Sequence, residues 1–240
     1  MVNASLARIF AEIERRGEDL ATLFAPGAQP HHDDVLGSEK IERSHNPLSF
    51  VPPRDAYLLT GDPARPSFTR DGALELRDGT LVCADGSPLL GFARGAPSGS
   101  PLVPLQVDRS DLILGRLDDA RIDPDGLFSY ARTAIEPGTL EPVVERVEVG
   151  RVALARFPSG SRLERVDATH VRPPNGVAPL VGTPADGSFD ALAVRSRAIG
   201  RIDPDAAVAR LQDAYLTARA LGAAERTKNG MARAAFDLVK

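Results

Sequence analysis

Apolar residues recur near three- and four-residue spacing at the start of the chain, at Leu6, Ile9, Phe10, Ile13, Leu20, Leu23 and Phe24. Arg8, Glu12, Arg15, Arg16 and Asp19 take the opposite face, so 3–24 is predicted as one amphipathic helix. Asn3 or Ser5 is its candidate N-cap, and Ala25-Pro26-Gly27 stops it. Gly17 weakens the middle of the helix by roughly 1 kcal/mol relative to Ala. Residues 26–45 are polar, carry three of the four histidines and show neither helical nor strand period, so they read as a linker.

From 46 onwards the pattern changes to short apolar or alternating runs. They are separated by turn dipeptides at Asp71-Gly72, Asp78-Gly79, Asp85-Gly86, Asp125-Gly126, Asn175-Gly176 and Asp186-Gly187. The clearest strand runs from Val147 to Phe157. Its alternation becomes apolar on both faces after Arg151, which predicts a strand covered on both sides. Helical spacing returns over 203–238. Asp203 is the expected N-cap, Pro204 the first helical residue, and Asp205 suits the positive end of the helix dipole. Val208, Leu211, Tyr215, Ala218 and Gly222 follow heptad-like spacing, and Met231, Ala235 and Leu238 resume the stripe after a slip near Glu225. The expected fold class is mainly β with flanking α, divided as an N-terminal helix (1–25), a linker (26–45), a β-rich domain (46–200) and a C-terminal helix (201–240).

Composition narrows the function classes. The 240 residues include 21 Gly and 20 Pro, above the about 12% these two types usually supply together, in keeping with many turns between short strands. A net charge of −4 gives no global basic character for nucleic acid. The nine Phe and three Tyr, with no Trp, are not interleaved with basic residues as a base-stacking platform requires. The single cysteine, Cys83, excludes an internal disulfide framework and lies in a strand-like run with no adjacent His. Charged residues from Arg8 to Arg16 interrupt any signal-peptide apolar region, and no apolar run approaches the ~18 residues that a spanning helix needs. Membrane insertion is therefore not expected.

Candidate chemistry is sparse. His31-His32-Asp33-Asp34, with His45 nearby, is the only cluster of metal-ligand types, and it lacks an i, i+4 or C-x-x-C partner. A metal-dependent enzyme using His31, His32 and Asp34 is the weakest of three readings. Asp123-Pro124-Asp125-Gly126 has Leu127 and Phe128 where a calcium loop needs an oxygen ligand and a glycine, so it reads as a turn. The recurrence of Arg-Ile-Asp-Pro-Asp at 201–205 reads as a helix start. Asp118-Asp119 reads as a solvated pair, and His170, in the run 166–172, as a structural histidine. No catalytic residue, cofactor site or metal site is assigned.

Several segments resemble, in order and spacing, the bacterial flagellar basal-body rod and hook family. Asn46-Pro47-Leu48 before Tyr57-Leu58-Leu59 is similar to its G-x-P-L-D lead-in. Phe68-Thr69-Arg70-Asp71-Gly72 is close to Y-T-R-x-G, and 81–92 resembles L-V-x-x-x-G-x-x-V-L-G-Y. Ile122 to Gly126 looks like I-x-x-D-G, and 149–157 followed by 163–166 looks like I-G-x-I-A-L-A-x-F and L-x-x-x-G. At the ends, Asp19-Leu20-Ala21 with Ala25-Pro26-Gly27 echoes N-L-A-N-x-x-T-P-G, and Gln212-Asp213-Ala214-Tyr215 echoes Q-R-A-Y. The amides usual after the first helix are replaced here by Glu18, Asp19 and Thr22.

The resemblance implies a proximal-rod-like structural subunit and not an enzyme. It implies passage through the flagellar type III export apparatus without a cleaved signal, and assembly with other rod and hook subunits in the periplasmic rod of the basal body. The terminal helices would pair in the assembly, with self-association possible. The residues assigned to that interface are Leu6, Ile9, Ile13, Leu20 and Leu23 in the first helix and Val208, Leu211, Tyr215, Leu221 and Met231 in the last. The residues themselves also allow a monomeric β-rich adaptor whose helices fold back on its own core.

Overall fold

The computed structural model of the chain describes residues 2–21, 40–97, 99–115, 117–135, 142–161, 163–199 and 202–238. In chain order they form α1 (Val2–Ala21), β1 (Lys40–Arg43), β2 (Phe50–Val51), β3 (Tyr57–Asp62), β4 (Arg65–Thr69), β5 (Glu75–Arg77) and β6 (Thr80–Val82). There follow β7 (Leu90–Ala93), β8 (Val103–Pro104), α2 (Arg109–Ile113), β9 (Leu117–Ile122), β10 (Leu127–Ile135), β11 (Pro142–Val152) and β12 (Leu154–Arg156). The chain continues through β13 (Glu164–Arg165), β14 (His170–Arg172), β15 (Leu180–Gly182), β16 (Ala193–Val194), β17 (Ser196–Ile199) and α3 (Pro204–Leu238). The fold is mainly β with a helix at each end, as the pattern predicts. It divides into two compact units, one built on α1 and α3 and the other on the strands.

Every pairing in the β unit is antiparallel. One sheet has the order β8-β7-β11-β10-β9, and a second the order β13-β14-β4-β3-β12-β15; three two-stranded ladders, β1-β17, β16-β2 and β5-β6, complete it. The predicted strand 147–157 is β11 followed by β12, which belong to different sheets and meet at Ala153. Val152, Ala153, Leu154 and Ala155 are all fully buried. The reason lies in the period of two. Val152 and Leu154 point into one core with Phe50, Leu58, Leu89 and Phe128, while Ala153 and Ala155 point into another with Leu59, Phe68, Leu90 and Phe92. Leu58/Leu59 and Leu89/Leu90 split between the same two cores, so these strands are apolar on both faces and lose visible alternation.

The turn dipeptides divide by role. Asp78 (φ 48°) and Gly79 (φ 80°) form the two-residue loop of the β5–β6 hairpin, both in the left-handed region that a I′ turn requires. Asp71-Gly72, expected to be a turn of the same kind, is instead buried chain. A Cβ on Gly72 would lie 1.9 Å from the Phe50 carbonyl oxygen, so glycine serves close approach there, and Phe50 N donates to Gly72 O at 3.0 Å. Asp123 to Gly126 is the turn between β9 and β10, with Gly126 N donating to Asp123 O at 2.9 Å.

Two boundaries need correction. The last part of the expected linker, 40–43, is β1, which pairs with β17 from Lys40↔Ile199 to Arg43↔Ser196 and ties the start of the β unit to its end. Its one apolar residue, Ile41, is exposed, so backbone pairing and the Arg197–Glu42 ion pair at 3.2 Å hold it without any apolar period to read. The short α2 also interrupts the β region. Asp108 caps it by accepting from Ser110 N at 2.8 Å, and Tyr130 OH donates to Asp111 at 2.6 Å to fix it on β10.

Arg70 is the largest fully buried side chain. Its Nη1 donates to the carbonyls of Pro53, Arg54 and Ala56 at 2.7, 2.9 and 2.6 Å, and its Nη2 to that of Pro52 at 3.3 Å. The 52–56 segment has too few strand partners for its carbonyls, and one guanidinium gathers four of them.

Candidate assembly surface

Helices α1 and α3 pack on each other within one compact unit. On α1 the half-buried positions are Ile9, Glu12, Ile13, Arg16, Gly17 and Leu20. Arg16 Nη2 pairs with Glu12 Oε1 at 2.7 Å inside this row. Asp19, expected on the polar face, is buried, because 12, 16 and 19 lie at helical spacing beside the apolar row. Ile9, Ile13 and Leu20 therefore occupy the side predicted for them, while Phe10 stands exposed.

On α3 the half-buried row is Leu211, Ala214, Ala218, Leu221, Gly222 and Glu225. Of the residues assigned to the interface, Leu211 and Leu221 lie in this row. Val208, Tyr215 and Met231 do not lie in this row; Tyr215 is 62% and Met231 69% exposed. The expected heptad sets Tyr215 in the row, whereas the helix sets Ala214 there, and small side chains permit closer approach of a second helix. Leu6 has no described side chain and Leu23 lies outside the described residues. Asp203 caps α3 by accepting from Asp205 N and Ala206 N at 3.0 and 3.1 Å.

Ile13 of α1 and Leu211, Gln212, Tyr215 and Leu216 of α3 line a groove of about 540 Å³. Phe10 and Leu216 are exposed apolar residues outside the predicted interface set. Their signal is helical spacing: Phe10 follows Ile9 and so stands about 100° off the α1 row, and Leu216 lies two residues from both Ala214 and Ala218, about 200° around the helix from each. The surface can bury apolar area against another protein. It has no arrangement for bond chemistry, since its lining is aliphatic or aromatic with one amide.

The chemical candidates of the sequence fall elsewhere. The 31–34 cluster lies outside the described residues, and among the described residues no group of three His, Cys, Asp or Glu side chains is set to hold a metal ion. Asp119 is bound by Arg146, whose hydrogen bond holds its carboxyl below the usual range. Burial pushes the Cys83 thiol up to about 12, too high for a thiolate nucleophile. His170 is buried, with Nδ1 3.0 Å from Asp167 and Nε2 3.7 Å from Asp85. Its Nε2 has no hydrogen bond among the described residues, so it is only half satisfied. Beside it, burial raises Asp71 to about 6 against a lowering hydrogen bond from Ala73.

No family model matches the sequence, and no curated protein matches it.

Proposed function

We propose that this chain is a structural subunit of the bacterial flagellar basal-body rod, a building block that works by packing and not by catalysis. The ordered motif set carries the family part of this reading. The structural observation that supports it is the helical unit, which leaves Phe10, Val208 and Met231 exposed and has Tyr215 and Leu216, also exposed, lining an apolar groove. Apolar area buried there by neighbouring subunits contributes about 25 cal/mol per Å². The partners are other rod and hook subunits and the type III export apparatus, and the site of assembly is the periplasmic rod.

Mass spectrometry of hook–basal bodies purified from the native host tests the reading. The chain is expected there in multiple copies, and its absence alongside other rod subunits overturns it. The Ile13→Asp/Leu211→Asp double variant is expected to abolish incorporation while the β unit stays folded by near-UV circular dichroism. Normal incorporation of that variant rejects this interface.

A monomeric β-rich adaptor is the second reading. It is favoured by one observation: α1 and α3 already pack together within a single chain. Hydrogen exchange on the monomer separates the two, because an adaptor's helices are protected without neighbours and a rod subunit's exchange freely.

A further inference from the structure

We propose that the β unit binds a small amphipathic carboxylate, an aliphatic or aromatic acid, in a groove over β3, β4 and β15. The groove encloses about 590 Å³, within the range of ligand pockets. Leu59, Phe68, Leu102 and Val181 supply its apolar floor and wall. Leu59 and Phe68 belong to the second core, so the groove is the place where that core comes to the surface. Arg65 and Arg172 line the same groove, with Asn175 beside them.

Two observations set the ligand's charge. Neither the Arg65 nor the Arg172 side chain has a hydrogen-bond or ion-pair partner among the described residues. Other arginines of the β unit divide: Arg77 pairs with Glu75, Arg94 with Glu148, Arg121 with Asp123, Arg151 with Asp125 and Arg156 with Asp55, while others are as open as these two, so what sets Arg65 and Arg172 apart is that both line one apolar groove. The carboxylates opposite the two in register do not pair with them either. Asp62 faces Arg65 across the β3–β4 hairpin but accepts from Ala64 N at 2.9 Å, and Glu164 faces Arg172 across β13–β14 without an ion pair among the described residues. Two guanidiniums beside a dry floor favour an anion with an apolar body; planar forks match a carboxylate in particular. The rim is stiff as well. Pro66, Pro173 and Pro179 fix the backbone around the groove, which lowers the ordering cost of binding. The site stands on the β unit alone and is independent of the role of the helices.

Titration of the full chain with decanoate tests it, with decanol as the uncharged twin and 4-phenylbutyrate as the aromatic acid. Methyl NMR of Leu59, Leu102 and Val181 and calorimetry read the binding. Saturable binding of at least one acid is expected at these methyls, at least tenfold weaker for decanol in the case of decanoate. R65E/R172E, at two exposed positions, is expected to leave the circular dichroism unchanged and to weaken acid binding at least tenfold. Failure of both acids to shift these methyls overturns the proposal, as does equal affinity for decanol or undiminished binding by the double variant. Saturation by a short acidic peptide with no response to either acid also overturns it and assigns the groove to a protein partner.

Discussion

The β unit and the helical unit use apolar residues in opposite ways. In the β unit adjacent residues of one strand feed two cores, and Phe50, Leu58, Phe92, Phe128 and Tyr130 are fully removed from water. In the helical unit, α1 is strongly amphipathic but α3 only weakly so, and large apolar side chains of both remain in solvent. A segment that satisfies its own hydrophobic groups is stable alone, whereas one that leaves them exposed gains stability from a neighbour. The β unit also leaves Ile113, Leu114, Val144 and Leu180 in solvent, so the difference lies in the cores: the strands bury two, and under the proposed function the helices supply the surface for association.

The largest way to break this contrast is to open the core. Phe128→Ala is expected to cost about 3–5 kcal/mol, the usual toll of a fully buried aromatic. Chemical denaturation read by near-UV circular dichroism measures it. A cost below about 1 kcal/mol would mean that the two-core body is not the seat of stability.

Asp71 comes next. Its carboxyl titrates near 3.8 when free and near 6 in the folded body, chiefly through burial. Between these values the folded state holds the extra proton, so the stability that this carboxyl contributes is greatest below about pH 4, falls as pH rises to about 6, and is level above. The loss is on the order of 2–3 kcal/mol. Asp71→Asn keeps an acceptor for Ala73 N and is expected to flatten this slope and stabilise the body at pH 7. Urea midpoints at pH 4 and pH 7 check it, and an unchanged slope in the variant refutes the assignment. Asp85, Asp167 and His170 share the corner, so the same pair of measurements on Asp85→Asn controls for their coupling.

Both behaviours were partly legible in the chain. The class, the helix at each end and the doubly covered stretch after Arg151 follow from period alone. Asp78-Gly79 is readable because a two-residue hairpin demands left-handed backbone. Asp71-Gly72 shows the same letters but opposite chemistry, since its glycine serves the close approach of Phe50, a residue more than 20 positions away. β1 escapes because its Lys-Ile-Glu-Arg residues carry no apolar period and its partner is β17, at the other end of the β unit. Arg70 resembles any surface arginine until four carbonyls converge on it. On the helices, Ile9, Ile13, Leu20, Leu211 and Leu221 could be chosen from spacing. The choice between Ala214 and Tyr215 could not, because it depends on the close approach of α1.

The smallest effect sharpens the same contrast. Asp203 is exposed, buries nothing, and acts through two hydrogen bonds to the free amides of Asp205 and Ala206. Pro204 at the first helical position has no amide to satisfy, so these two bonds meet the first donors that α3 leaves unpaired. Asp203→Ala is expected to cost about 1 kcal/mol, and its negative charge adds a few tenths through the helix dipole. If the helical unit and the strands unfold separately, far-UV circular dichroism at 222 nm loses helix at lower temperature in the variant while the near-UV transition of the β unit stays in place. If they unfold as one, both transitions move together, and the division of labour between strands and helices holds for packing but not for cooperativity.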